Sequence, residues 1–205
     1  MYFWKDTSLS TQEIAKKLLG CLLVKENAQG RTSGFIVETE AYLGELDQAA
    51  HTFQLRRTPR VESMYDAPGT IYVYTMHTHD LVNLVVQEVG IPEAILIRAV
   101  EPYEGIELME TRRQRPTVEL TNGPGKLTKA LGIDQSDNGK DIASSPLFLD
   151  LMENKQPADI LETPRIGIPN KGDWTEAPLR YIVKGNPFVS KMKKKYLDEN
   201  NGWLK

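Results

Sequence analysis

Two carboxylates and a phenol ring alternate along VETEAYLGELDQAAH, residues 37–51, a segment that ends at one of the three histidines of the chain. The residue types predict a β-strand, in which successive side chains point to opposite faces. Glu38, Glu40 and Tyr42 therefore share one face, and the opposite face is apolar. A strand without a β-bulge seldom presents adjacent like charges for structural reasons. A carboxylate beside an aromatic wall suits a general base that activates water. The alternative is an edge strand whose acids face solvent.

Arg98 is the cationic candidate, and it lies inside the apolar run AILIRAVEP. An arginine in such a strand is costly to bury unless a carboxylate meets it. Two interpretations stay open: a structural ion pair, or an arginine that holds the catalytic carboxylate and the attacking water.

The remaining histidines, His77 and His79, stand in MHTHD and raise the possibility of a metal site. Together with Asp80 or the distant His51 they could act as ligands. Their spacing fits a strand, but neither an H-x-x-x-H nor an H-E-x-x-H pattern is present. We therefore predict no metal and no other cofactor.

The composition is that of an ordinary globular protein, with 40% apolar and 26% charged residues among 205. We predict one domain over residues 1–205, with loose segments at about 1–8 and 191–205. No apolar run approaches the ~20 residues of a membrane span, and the first residues lack a signal-peptide pattern. A single cysteine, Cys21, excludes an internal disulfide and a cysteine-based zinc site, which makes the cytoplasm the expected compartment.

The net charge of −3 argues mildly against a nucleic-acid partner, but the basic residues are clustered. Three arginines fall in LRRTPR (55–60), three in TRRQRP (111–116) and four lysines in KMKKK (191–195), while GKLTK adds Lys126 and Lys129. Each cluster alone could be a solvated face. A local basic strip on an acidic protein can nevertheless follow a phosphate backbone.

The pattern of elements predicts an α+β fold, a single domain with a curved, largely antiparallel β-sheet flanked by short helices. Ser10 to Glu13 match a capping box that begins a helix. Further helices are predicted in YEGIELMETRRQ and GPGKLTKALGI. Strands are predicted in CLLVKE, GFIVETEAY, TIYVYTM, AILIRAVEP, PLFLDL, PRIGI and LRYIVKG.

Several motifs occur in an order that resembles the alkyladenine, or 3-methyladenine, DNA glycosylase family of monofunctional base-excision enzymes. After VETEAYLGELDQAAH come TPR (58–60), APGTIYVY (67–74), ILIRAVEP (95–102), NGPGKLTKALGI (122–133), PRIGI (164–168) and LRYIVKGNPFVS (179–190). Each motif alone is weak, but the ordered set runs from about residue 15 to 190 and is specific.

The resemblance implies a role for each matching residue. Glu40 matches the acid that activates the hydrolytic water, and Arg98 matches the arginine that helps to hold this water. Glu38 belongs to the pattern in a supporting role. The implied base-binding residues are Tyr42, His51, Tyr74 and Asn83, and the implied DNA-binding residues are Met64, Arg56, Arg60 and Lys126.

One segment, YTMHTHDLVN, departs from the family pattern. It is shorter by one residue and lacks the tyrosine that would enter the DNA stack. Met76 and His77 are the candidates for this intercalating wedge, with His77 narrowly preferred. The departure bears on the range of lesions more than on the activity.

The resemblance thus implies a monomeric enzyme that acts on double-stranded DNA containing damaged purines, without a membrane partner. It would extrude an alkylated purine and hydrolyse the N-glycosidic bond, leaving an abasic site; in a bacterium it would be associated with the nucleoid.

Three rival functions share some of the features: a metal-dependent hydrolase using the histidines, a damage-recognition module that does not cut, and an RNA-processing or translation-associated domain.

Overall fold

The computed structural model describes residues 2–205, which form an eight-stranded antiparallel sheet with short helices. The strands are β1 (Cys21–Asn27), β2 (Gly30–Tyr42), β3 (Ile71–Met76), β4 (His79–Val85), β5 (Ala94–Glu104), β6 (Leu147–Asn154), β7 (Ile160–Thr163) and β8 (Arg180–Val183). The α-helices are α1 (Thr11–Lys17), α2 (Ile106–Arg113), α3 (Pro124–Leu131) and α4 (Asp173–Glu176). Short 3-10 helices cover Phe3–Lys5, Phe53–Leu55, Pro59–Tyr65, Thr117–Leu120, Gln135–Asp137 and Lys194–Tyr196. The α+β class and the largely antiparallel sheet are confirmed.

Strand β2 lies in the interior of the sheet. It pairs with β5 along one edge, and its other edge is shared between β1 at residues 30–35 and β8 at residues 38–40. Glu38 and Glu40 are both fully buried. The alternative of a solvent-facing edge strand is therefore wrong.

Three register shifts interrupt the pairing of β2 with β5, and the two in the middle of the strand are compensating bulges. The strand is therefore not the regular one that simple alternation assumes. Ile36 pairs with Val100, Glu38 with Ala99, and Thr39 with Ile97. Val37 and Arg98 are thus the extra residues, one on each strand, and the register after them equals the register before. Bulges re-aim side chains and are frequent next to active sites. Here they bring Arg98 to the two carboxylates.

Helix α1 begins as the sequence predicts. The Ser10 side chain accepts a hydrogen bond from the Glu13 amide, and the Glu13 carboxylate accepts one from the Ser10 amide. The helix covers the face of β2 opposite the carboxylates, where the Thr39 hydroxyl donates to the Ala15 carbonyl at 3.0 Å. The buried residues of the helix and of this face of β2 belong to the main hydrophobic core.

The predicted strands differ from the structure in two respects. PRIGI (164–168) is not a strand but an irregular segment with a turn, since Pro164 cannot donate to a ladder. Two strands are absent from the prediction: β4, which begins with a polar His-Asp pair and completes a hairpin with β3, and the short strand β7.

Each of the terminal segments predicted to be loose contains a buried aromatic residue. Of residues 1–8, Met1 lies outside the described part, while Trp4 is 1% exposed and belongs to the main core. At the other end, Trp203 is buried and donates through its indole N–H to Glu101 at 2.8 Å. An aromatic anchor fixes each segment to the domain.

Among the described residues, every helix is too short or too polar to cross a bilayer.

Candidate active site

Glu40 is at the centre of the candidate site and accepts three hydrogen bonds. Oε2 accepts the Tyr42 hydroxyl at 2.9 Å and an Arg98 Nη at 3.2 Å, and Oε1 accepts the Ile166 amide at 2.7 Å. An ionised carboxylate offers about four acceptor positions. One position on Oε1 is therefore left for a further donor such as water.

Arg98 joins this carboxylate to Glu38. Its Nε donates to Glu38 Oε1 at 3.0 Å. Glu38 also accepts Arg180 Nε at 2.6 Å and the Ser190 amide at 2.7 Å. Two carboxylates and two guanidinium groups thus form a buried network in which Arg98 is shared.

Burial raises the pKa of Glu40 above its usual value of 4.5, and the negative charge of nearby Glu38 raises it further. Arg98 and the hydrogen bonds from the Ile166 amide and the Tyr42 hydroxyl lower the pKa, but they do not cancel the effect of burial. Proton transfer is most efficient when the pKa of the base approaches the working pH. Burial and Glu40 also raise the pKa of Tyr42 well above 10, which keeps its hydroxyl a donor.

An aromatic cavity adjoins the carboxylate at Tyr42. It is lined by Tyr42, Ala49, His51, Met64, Tyr72, Tyr74, Met76, Asn83, Ala94 and Ile168. The structure therefore brings all four predicted base-binding residues together. Asn83 is placed by the hairpin, where it pairs with Tyr72 and donates to its carbonyl at 3.1 Å.

The His51 ring is fixed from two sides. It meets the Tyr74 ring edge-to-face, with centroids 4.6 Å apart, and its Nδ1 lies 3.1 Å from the Tyr72 hydroxyl. Burial lowers the pKa of His51 below 6.5, with help from the positive charges of Arg60 and Arg56. The shift favours the neutral imidazole, which does not repel a cation in the cavity.

A buried ion pair that the sequence did not reveal supports Tyr42. Arg165 binds both carboxylate oxygens of Asp47, donates to the Ala41 carbonyl at 3.0 Å, and lies 4.7 Å from the centroid of the Tyr42 ring. Asp47 in turn accepts the amides of Leu43 and Ala49 in the loop that leads to His51. One signal was available: an arginine between proline and isoleucine in PRIGI, a charged residue in an apolar motif.

The two candidates for the wedge lie at the β3–β4 hairpin. His77 and Thr78 form its two-residue turn with φ of 47° and 69°. Such values are uncommon for residues other than glycine, although asparagine, aspartate and histidine adopt them more often than the rest. Met76, at the end of β3, is 39% exposed and also lines the cavity. Met76 thus borders the cavity, and His77 follows it in the turn.

The predicted DNA-binding residues differ in their surroundings. Met64 is only 3% exposed and lines the cavity, so it is not an exposed contact in this state. Arg60 covers the Tyr74 ring at 5.3 Å and donates to the Thr75 carbonyl, and Arg56 is exposed nearby. Lys126 is engaged by Glu119 and Asn122, each at 2.7 Å.

The histidines do not assemble a metal centre with other ligands. Within residues 2–205, no group of three His, Cys, Asp or Glu side chains is arranged to hold a metal ion. Cys21 is buried, and burial raises the pKa of its thiol to about 12, which suits a core residue.

The candidate site consists of a buried carboxylate beside an aromatic cavity, on an antiparallel sheet. Comparison with known families shows the class of protein to which this site belongs. The profile of the methylpurine-DNA glycosylase family matches residues 5–187. The chain belongs to this family, and it is therefore a DNA glycosylase.

Curated relatives from three bacteria bear the name "Putative 3-methyladenine DNA glycosylase". The protein of Enterococcus faecalis is 56% identical over 196 residues, which cover 95% of this chain and 86% of the relative. That of Staphylococcus haemolyticus is 54% identical, covering 91% and 93%, and that of Lactiplantibacillus plantarum is 48% identical, covering 97% and 95%. The similarity extends over nearly the whole of each chain.

Proposed function

We propose that the chain excises alkylated purines such as 3-methyladenine from double-stranded DNA by flipping the damaged nucleotide and hydrolysing its N-glycosidic bond. The product is an abasic site, and the enzyme acts as a monomer without a cofactor. The observation that carries the proposal is the contact between Glu40 and Tyr42 at the wall of a cavity that also contains His51 and Tyr74.

The cavity has the chemistry to hold an extruded damaged base. Extrusion costs a few kcal/mol, and less when damage has weakened pairing. Stacking on an aromatic ring returns ~1–3 kcal/mol per base. Alkylation at N3 or N7 gives the purine a positive charge, which the faces of Tyr42 and Tyr74 attract. A neutral His51 adds a π-surface without opposing that charge.

Glu40 is the proposed general base. The unused acceptor position on Oε1 binds a water molecule, Glu40 takes its proton, and the oxygen attacks the anomeric carbon as an oxocarbenium-like state develops. The alkylated base leaves with the bonding electrons and needs little acid assistance. The negative charge of Glu40 also stabilises the developing cation. Because no lysine forms a Schiff base in this scheme, we expect no cleavage of the DNA strand.

Arg98 orients Glu40, and Glu38 orients Arg98 in turn. The bond from Ile166 to Oε1 fixes the second oxygen. Asn83 is proposed to exclude guanine by opposing the exocyclic amino group of that base. His77 or Met76 is proposed to fill the space that the flipped nucleotide leaves in the duplex.

The proposal is tested with duplexes that each contain one defined lesion: 3-methyladenine, 7-methylguanine, hypoxanthine or ethenoadenine. The protein is incubated with each in EDTA, and free base and strand breaks are measured in single turnovers. We expect release of at least one cationic base without strand breaks.

The same assay separates the rival functions. Activity that requires an added metal would revive the histidine-based hydrolase. Tight binding of the damaged duplex without base release would identify a recognition module instead. Preference for structured RNA over damaged DNA in competition would indicate the third alternative.

A further inference from the structure

The lysine segment, residues 191–195, is the basic cluster that the proposed site leaves unused. Its lysines are exposed, and none has a carboxylate within ion-pair distance in the described part of the chain. By contrast, seven other lysines lie within 4.0 Å of a carboxylate: Lys5, Lys16, Lys25, Lys126, Lys140, Lys155 and Lys184. Lys17, Lys129, Lys171 and Lys205 also have no such partner among the described residues, but they are not clustered in the sequence. Four unpaired positive charges within five residues on a chain of net charge −3 form a local site for an anion.

The segment is held in place at both ends. Before it, the Ser190 amide donates to Glu38 at 2.7 Å, and the Ser190 carbonyl accepts Arg180 at 3.1 Å. After it, the Asp198 amide donates to the Gly185 carbonyl at 3.1 Å. The lysines are therefore presented from a fixed loop that is bound directly to the carboxylate network.

A groove connects these lysines with the catalytic groups. Lys191 and Lys194 line it together with Arg98 and Ile166, and both of the latter contact Glu40. The N-terminus of α3, at Gly123 and Pro124, forms another part of the wall. The positive end of a helix favours phosphate groups. Glu119 also lines the groove, but Lys126 engages its carboxylate.

We propose that the lysine segment is a second DNA-binding element, which holds the phosphate backbone of the substrate duplex along this groove. The matched family profile ends at residue 187, before the segment begins. The inference rests on the proposed function, because it takes the duplex that carries the lesion as the partner. It adds that the segment contributes affinity by charge and takes no part in the chemical step.

The test is a double variant, Lys191→Gln with Lys194→Gln, in the full-length protein. Gln preserves much of each side chain and removes only the charge. The control is Lys16→Gln with Lys17→Gln on α1, which lies across β2 from the carboxylates. Lys16 is paired with Glu162, but both side chains are exposed and such a surface pair contributes little to stability. Affinity for an undamaged duplex is measured by fluorescence anisotropy at several salt concentrations, and excision of a single lesion is measured at saturating enzyme.

We expect the test variant to flatten the slope of log affinity against log salt by roughly 1–2, because each lost phosphate contact contributes about 0.9. The loss should be similar on all sequences. The control variant should retain the wild-type slope, and excision at saturation should stay within about twofold for both. A wild-type slope in the test variant, or an equal loss in the control, would overturn the inference.

The readouts separate this inference from the proposed function. Wild-type excision together with an unchanged slope would refute only the role of the segment. Absence of excision by the wild type, with a slope that still depends on the lysines, would refute the glycosylase chemistry and leave the DNA contact supported.

Discussion

Glu38 and Glu40 are the same residue type, two positions apart on one strand, and equally inaccessible to solvent, yet their surroundings differ. Glu38 binds two guanidinium groups and an amide. Glu40 shares one of those guanidinium groups and binds an amide and the hydroxyl of Tyr42, a residue that lines the aromatic cavity. Since the two residues are equally buried, their partners distinguish them: Glu38 holds two arginines in place, whereas Glu40 borders the cavity through Tyr42.

The comparison is tested most strongly at the proposed base. Glu40→Gln should reduce single-turnover excision by about 10²–10⁴-fold, because the general base is lost. Binding of the damaged duplex should persist. The control is Glu153→Gln, at an exposed position on the edge strand β6. Wild-type excision by Glu40→Gln would remove Glu40 from the mechanism.

Glu38→Gln should mainly lower the stability of the fold. It breaks two buried charge pairs, and removing one partner of such a pair costs about 3–5 kcal/mol. The free energy of unfolding, measured with urea, should fall by an amount of this order, whereas Glu40→Gln should change it much less. Equal losses of stability in the two variants would contradict the distinction between the two carboxylates.

The pH dependence sharpens the role of Glu40. Its pKa is raised, and only the deprotonated form accepts a proton from water, so excision should fall as the pH decreases through the raised pKa. The acid limb of kcat/KM should therefore have its midpoint above the usual carboxyl value of 4.5. A midpoint at or below 4.5 would show that Glu40 is not the group that titrates.

Tyr42→Phe should have the smallest effect. The ring that faces the base is kept, but the hydroxyl that lowers the pKa of Glu40 is lost. The acid limb should shift to higher pH, with excision at high pH close to wild type. The comparison variant is Tyr74→Phe, whose hydroxyl is not a donor to Glu40 among the described contacts. An equal shift in both variants would exclude the proposed contact.

The sequence predicted the elements that alternation and apolarity define, together with the shared face of Glu38, Glu40 and Tyr42. It did not predict the bulges, because alternation carries no information on a pair of compensating extra residues. It also missed β4, since the initial His-Asp pair hides a strand whose remaining residues, apart from Asn83, are apolar.

Long-range contacts were the other limit. Arg180 reaches Glu38 across 142 positions and Arg165 reaches Asp47 across 118, and neither pair has a local pattern. The roles of Glu40, Arg98 and the base-binding residues came from the resemblance to a family, not from periodicity. The basic, polar neighbours of Trp203 likewise conceal the burial of this single aromatic residue.

The paired bulges at Val37 and Arg98 constrain how this sequence can diverge. Deleting either residue alone would displace the register of half the sheet by one position and turn Glu40 and Tyr42 towards the wrong layer. Deleting both Val37 and Arg98 would restore the hydrogen-bond register between β2 and β5, but it would also remove the guanidinium group that binds Glu38 and Glu40. Active variants of this protein should therefore keep the lengths of β2 and β5 together. Insertions and deletions should be tolerated in the connecting loops instead.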